Sequence, residues 1–279
     1  MRVSVLASGS SGNAIYIESE ESRMLVDVGL SAKQIELRLK AIDVDPESIQ
    51  ALFITHEHID HVKGLGVWAR RYQLPIFCND ATLQNLPNSV GEIPKELFRS
   101  FGSNNAMDWQ DLHVESFSIS HDAADPMGFV VCKEQEKIAI VTDTGYVSSK
   151  IVEKVQGSHT LIWESNHDVE MLRMGPYPWS TKRRILSDVG HLSNQDSGDA
   201  LREVLAGEGE NVYLAHLSRE NNLQELAHLT VKNILEDSGA EVGQAVRLFE
   251  TYADRPTPLS PVKRKTVPVG NLFASVSVS

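Results

Sequence analysis

Residues 55–61 read THEHIDH, and His56, His58, Asp60 and His61 put three imidazoles and a carboxylate into six consecutive positions. Imidazole nitrogen together with carboxylate oxygen suits a borderline divalent cation such as Zn²⁺, and also Mn²⁺ or Fe²⁺. The preceding FIT is aromatic and β-branched, as a strand end would be, and the following VKGLGVWARRY reads as a helix start. Side chains alternate sides along an extended segment, so His56 and His58 face the same way. Asp60 and His61 lie past the bend and can address a second position. The heptad alone offers donors for two metal ions side by side.

Two ions with about four or five ligands each need further donors. His121 closes SFSISH, Asp143 closes IAIVTD ahead of a Thr-Gly turn, and His216 closes VYLAH ahead of LSREN. Each stands at the C-terminal end of an apolar strand, as His56 does. Ligands from several strand ends at one rim of a sheet system can meet in space. Nitrogen and oxygen ligands in this number, without cysteine, describe an open catalytic centre rather than a closed structural one.

The elements that must position them are legible as apolar runs and turns. Strands are expected over residues 2–7, 14–18, 23–28, 51–55, 75–78, 113–120, 128–132, 137–143, 159–165, 211–216 and 245–250. Helices are expected over 31–42, after the histidine cluster, and over about 194–206 and 222–237. Strands come in runs with helices between them. That pattern fits an α/β protein of two packed sheets with helices outside, an αββα sandwich. Residues 1–252 form one domain in this reading. The proline-rich, basic stretch 253–279 is a C-terminal tail, mobile or strapped over the surface.

The chain has 279 residues, 41% hydrophobic, which suits one large α/β unit with a buried core. The start, MRVSVLASGSSGN, lacks the pattern of a signal peptide, and no apolar stretch approaches a membrane span. Cys78 and Cys132 are too few for a disulfide framework and favour a reducing cytoplasm. The net charge of −12 argues against a general nucleic-acid binder, so a phosphate substrate would need a local basic patch. Nothing in the sequence bears on oligomeric state.

HEHIDH followed in order by SISHD, VTDTG and LAHLS resembles the metallo-β-lactamase fold, over about residues 2–250, and LVDVG at 25–29 also matches. The resemblance implies that His56, His58 and His121 hold one metal, that Asp60, His61 and His216 hold the other, and that Asp143 bridges them. It implies that Asp27 binds no metal and instead holds the ligand loop. SVLASGSSGNAIYIE, WESNHD at 163–168, GHLSN at 190–194 and LAHLSRENN at 214–222 resemble the YycJ (WalJ) group. Those proteins are bacterial cytoplasmic relatives of ribonucleases Z and J, with 5′-to-3′ exonuclease activity on DNA attributed to them. The likeness of GHLSN and HLS to elements of ribonuclease Z implies that Glu164 and His191 assist proton transfer. The large inserted domain of ribonuclease J and the long exosite arm of ribonuclease Z have no counterpart here.

These residues together imply a phosphodiesterase using two divalent ions, Zn or Mn. Asp60 and the other ligands hold the ions, Glu164 orients His191, and His191 protonates the leaving oxygen. His167, and Ser218 with Asn221 and Asn222 after the last ligand, are expected to contact substrate. GSSGN at 9–13 matches no phosphate loop and reads as a tight turn near the metals. Between Glu170 and Asp188 there is no acidic residue, and Arg173, Lys182, Arg183 and Arg184 interleave with Tyr177 and Trp179. Such a stretch suits a nucleic-acid strand, DNA more than RNA, with Arg183 and Arg184 contacting it. The acidic total charge favours the alternative, a small-molecule phosphodiesterase or other ester hydrolase on the same metal core.

Overall fold

A computed structural model of the protein describes residues 1–262. The rest of the expected tail, residues 263–279, lies outside the described residues. Among those described, the strands are β1 (Arg2–Ala7), β2 (Ala14–Glu18), β3 (Arg23–Val26), β4 (Ala51–Phe53), β5 (Ile76–Cys78), β6 (Phe98–Ser100), β7 (Ala106–Trp109), β8 (Leu112–Ser118), β9 (Met127–Lys133), β10 (Glu136–Val141), β11 (Thr160–Glu164), β12 (Glu210–Ala215), β13 (Val246–Glu250) and β14 (Ser260–Pro261). The helices are α1 (Ala32–Lys40), α2 (Ile59–Val62), α3 (Leu65–Tyr72), α4 (Asp80–Gln84), α5 (Ser149–Val155), α6 (Val169–Met174), α7 (Trp179–Ile185), α8 (Asn194–Val204) and α9 (Gln224–Asp237).

The strands form two seven-stranded sheets, ordered β14-β1-β2-β3-β4-β5-β6 and β13-β12-β11-β10-β9-β8-β7. Each sheet is half antiparallel meander and half parallel: β3 to β6 run together, and so do β10 to β13. Phe53, Phe77, Phe129, Ile140 and Ile162 fill the space between the sheets. Phe53 stacks on Phe77 at 4.6 Å. The outer face of the first sheet is covered through Ile35, Leu39 and Trp68, and that of the second through Val155, Leu201 and Val231. The result is the expected αββα sandwich. It explains why β2, β11 and β12 are buried at every position, since helices cover one face of each and the other sheet the second.

The expected strands are found, but those bearing chemistry stop early. The apolar runs at 23–28, 137–143 and 211–216 continue into Asp27, Asp143 and His216, whereas the strands end one or two residues before these side chains. All three residues take left-handed backbone conformations, with φ of 61°, 61° and 58°. Such a residue costs on the order of 1–2 kcal/mol. It also turns the chain sharply off the sheet and stands the side chain up at the rim. The short elements α4, β6, β7 and α5 carry little sequence signal. β7, for example, is an edge strand with only half-buried and exposed positions.

Residues 253–262, expected as the start of the tail, lie along β1. Thr257 N donates to Val5 O, Val5 N donates to Thr257 Oγ1, and Ser4 Oγ donates to Thr257 O. The fully buried Val262 accepts from Thr160 Oγ1 in the second sheet, so this strap ties both sheets at the end away from the histidines. Thr257→Val keeps the shape and strands the buried Val5 N–H. It is expected to lower stability to urea by about 1–3 kcal/mol while leaving metal content unchanged; an unaltered unfolding midpoint would show the strap to be incidental.

Candidate metal centre and cleft

The C-terminal ends of β4, β8, β10, β11 and β12 converge on one rim. Two cross-sheet hydrogen bonds fix it: Met127 N to Thr55 O at 3.1 Å, and His216 N to Ser8 Oγ at 2.6 Å. All seven expected ligands meet there. His56, His58 and His121 form one close group of donor atoms, and Asp60, His61 and His216 another. Asp143 lies between them, with Oδ1 3.8 Å from His121 Nε2 and Oδ2 3.3 Å from His61 Nε2.

Four of the five expected ligand imidazoles are oriented from behind. Thr55 Oγ1 donates to Asp27 Oδ2, so it accepts from His56 Nδ1 at 2.9 Å. His61 Nδ1 is held by Asp27 Oδ2 at 2.7 Å, His121 Nδ1 by Gly190 O at 3.1 Å, and His216 Nδ1 by Glu164 Oε1 at 3.0 Å. All four rings therefore turn Nε2 towards the group. His56 Nε2, His216 Nε2 and Asp143 Oδ2 are buried without a hydrogen-bond partner. Buried polar atoms of this kind are costly unless something binds them, and imidazole with carboxylate is the donor set a divalent cation takes. The cluster fits a divalent metal site.

Close backbone packing sets the ligand loop. Asp27 accepts from Thr55 N and Oγ1 as well as from His61, which makes it the anchor expected for the loop. Asn13 N donates to Asp60 O at 2.7 Å, and a Cβ on Gly29 would stand 1.6 Å from that same oxygen, so only glycine fits there. The 9–13 turn is thus part of the site. Asn13 Nδ2 stands 3.0 Å from His61 Nε2. Sequence reasoning placed that turn near the metals but found no role for Asn13 or Thr55. The hydroxyl immediately before the first histidine was the available signal.

Glu164 is fully buried and accepts four donors. Oε1 takes His191 Nδ1 at 2.8 Å and His216 Nδ1 at 3.0 Å, while Oε2 takes Thr144 N at 2.8 Å and Leu192 N at 3.3 Å. No oxygen is left for substrate, so Glu164 is an orienting residue. His191 lines the cleft, and Nδ1 is committed, which leaves Nε2 facing outward. The cleft, about 240 Å³, is lined also by Ser10, Asn166, Tyr177, Thr181, Arg184 and Ser218.

Other expected contacts fall elsewhere. His167 is 1% exposed, with its backbone paired to Ser193, and burial pushes its imidazole down to about 4. It cannot reach substrate. Asn222 is spent between Asn194 and the Ser165 carbonyl, so it braces the loop rather than binding a ligand. Asn221 is buried, and only Ser218 of the three reaches the cleft. Lys182 points inward, where Nζ donates to Arg173 O and Gly175 O, both at 2.7 Å. Arg184 lines the cleft, while Arg183 is exposed outside it. Trp179 and Met174 are 60% and 85% exposed on the same segment.

The electrostatics divide the cluster. Burial and neighbouring rings push His56 well below the usual imidazole range, and burial lowers His121. Burial opposes charge on His61 too, but Asp143, Asp27 and Asp60 outweigh it, raising it well above normal. His216 is likewise lifted, against burial, to about 10 by Asp143, Asp60 and Glu164. Burial works against Asp143 and Glu164 as carboxylates. The surrounding imidazoles nevertheless hold Asp143 well below its usual range and Glu164 at about 2.

A fold and rim of this kind define a metal-dependent hydrolase, and residues 7–216 match the model of the metallo-beta-lactamase superfamily, to which the chain belongs. It is 45% identical over 257 residues to exodeoxyribonuclease YycJ of Bacillus anthracis, covering 92% of this chain and 97% of that one. It is 41% identical over 263 residues to exodeoxyribonuclease WalJ of Streptococcus pneumoniae, covering 94% and 98%. Within the superfamily the chain is therefore a member of the YycJ/WalJ family. The solved metallo-beta-lactamase-fold protein YhfI of Bacillus subtilis shares the fold, with a TM-score of 0.69 at 15% identity over 92% of this chain and 98% of that one. No helix among the described residues is long and apolar enough to cross a membrane.

Metal ligation needs neutral imidazole, so loading must displace the protons that the carboxylates draw onto His61 and His216. His56 and His121 are already neutral at pH 7 and release none. Metal binding at the His61–His216 side is therefore expected to release about two protons near pH 7 and to weaken as pH falls. Calorimetric titration of metal-free protein in buffers of different ionisation enthalpy measures this, and His216→Gln should release about one proton fewer. Loading without proton release would contradict the assignment.

Proposed function

We propose that this chain is a dinuclear metal-dependent phosphodiesterase that hydrolyses nucleic acid, acting on DNA as a 5′-to-3′ exonuclease with two Zn or Mn ions. The observation that carries it is the Glu164–His191 pair set 2.8 Å apart beside two adjoining ligand groups, within a chain aligned almost end to end with named exodeoxyribonucleases. His56, His58 and His121 would hold one ion, Asp60, His61 and His216 the other, and Asp143 would bridge. Bound there, such ions supply Lewis-acid polarisation of the phosphodiester and a lowered pKa for water.

The chain's own residues do the rest. Asp27 and Thr55 keep the ligand rings in one tautomer. Glu164, held at about 2, stays ionised at any physiological pH and accepts from His191 Nδ1, which fixes that ring in the cleft. His191 Nε2 gives its proton to the departing 3′-oxygen. Arg184, Tyr177, Thr181 and Ser218 orient the backbone and the terminal nucleotide. Exposed Arg183 and Trp179 extend contact beyond the cleft, by charge and by base stacking. Cys78 and Cys132 are free thiols, which accords with a reducing cytoplasm.

His191→Ala is expected to retain its metals and bind DNA while its rate falls by about 10²–10⁴. The defect should shrink on bis-p-nitrophenyl phosphate, because p-nitrophenolate departs without a proton. Equal losses on both substrates, or loss of metal, would remove His191 from this role.

The two arginines should separate. Arg183→Ala is expected to weaken DNA cleavage and flatten its salt dependence by about one unit of log–log slope, with hydrolysis of the small diester unchanged. Arg184→Ala, inside the cleft, should impair both substrates. Identical behaviour of the two variants would make the segment structural.

A further inference from the structure

One cleft contact belongs neither to the ligand groups nor to the proton-transfer pair. Arg184 Nη1 lies 2.6 Å from Asp122 Oδ2, with the two side chains 51% and 28% exposed. The other oxygen of Asp122 stands 3.3 Å from His121 Nε2. Asp122 therefore sits between a guanidinium at the mouth and an imidazole of the rim. Lys182 is turned inward and Arg183 lies outside, which leaves Arg184 as the basic side chain lining the cleft.

We propose that Asp122 is a specificity-determining residue: it occupies Arg184 as an internal counter-anion, which the substrate's phosphate must displace. This rests on the nuclease function proposed above. An ion pair this accessible is worth little in water, so a phosphate can exchange with it. Guanidinium takes either oxyanion in the same forked geometry. The Asp122 carboxylate offers Arg184 the same kind of charged oxygen that a phosphate offers. Each binding event then frees a carboxylate beside the rim, and that opposes weak or misplaced anions. Removing Asp122 should tighten binding at the expense of selectivity.

The test uses metal-loaded protein and a fluorescent oligodeoxynucleotide with phosphorothioate linkages, followed by anisotropy across a salt series. A parallel series uses metal-free protein in chelator. Asp122→Asn is expected to bind about ten-fold tighter than the wild type. The slope of log affinity against log salt should steepen by about one, because Arg184 is no longer neutralised beforehand. Asp122→Ser should behave alike, which guards against a folding defect in either variant. Both gains should vanish in an Arg184→Ala background. Unchanged or weaker binding in both variants would overturn the proposal. So would tightening that persists without Arg184, since that is only the loss of a repelling charge. A wild type that neither binds nor cleaves any oligonucleotide would sink the nuclease function and this proposal together, whereas a wild type that binds while Asp122 variants do not respond sinks this proposal alone.

Discussion

The site depends on one buried carboxylate. Glu164 is closed off from water, and an ion in that position is tolerable only with its oxygens fully engaged. Its four donors come from three places: the turn after Asp143, the backbone and ring of the 190–192 loop, and the ring of His216. Satisfying Glu164 thus locks Asp143, His191 and His216 to one another. A small shift in any of them would leave part of the charge unpaired, which costs several kcal/mol. That is why a group that never meets substrate can govern the geometry of those that do. Asp27 does the same work on the other sheet, with Thr55 and His61 as its donors.

The sandwich supplies the rigidity those carboxylates need. Strands buried on both faces cannot slide without disrupting the aromatic layer around Phe53 or the helix contacts outside. Strand ends are therefore fixed points, and the left-handed residues at three of them convert fixed points into directed side chains. The local strain is small beside the packing that holds it. Gly29 shows the same tolerance from the opposite side, since the ligand loop approaches so closely that no side chain fits.

Much of this was legible in the sequence, for identifiable reasons. Residue types and their position after apolar runs are local properties, so His56, His121, Asp143 and His216, which meet at the rim, could be picked out one strand at a time. The αββα layering followed from strands grouped in runs between amphipathic helices. What failed was orientation. His167 and Asn222 have the chemistry of substrate contacts, but one faces inward and the other is consumed by neighbours distant in sequence. Lys182 belongs to a basic run, yet its ammonium caps the carbonyls at the end of α6. Asn13 and Asp122 matter through partners 48 residues and 62 residues away, which no spacing rule exposes. The strap over β1 has a tail's composition, and only its backbone pairing marks it as part of the fold.

Charge unites these features. The chain carries −12 overall, and Asp27, Asp60, Asp143 and Glu164 concentrate four carboxylates beneath the cleft. Two dications would offset four such charges and would make the rim hospitable to a phosphodiester. Without them, protons drawn onto His61 and His216 take part of that place, and the carboxylates remain compensated in either state. An acidic protein can then act on a polyanion by keeping positive potential at one rim. Arg184 stands at that rim already paired with Asp122. Attraction is thereby confined to the position where a phosphate can reach both the arginine and the metal ligands, which is a means of choosing where a strand is cut rather than of holding it tightly.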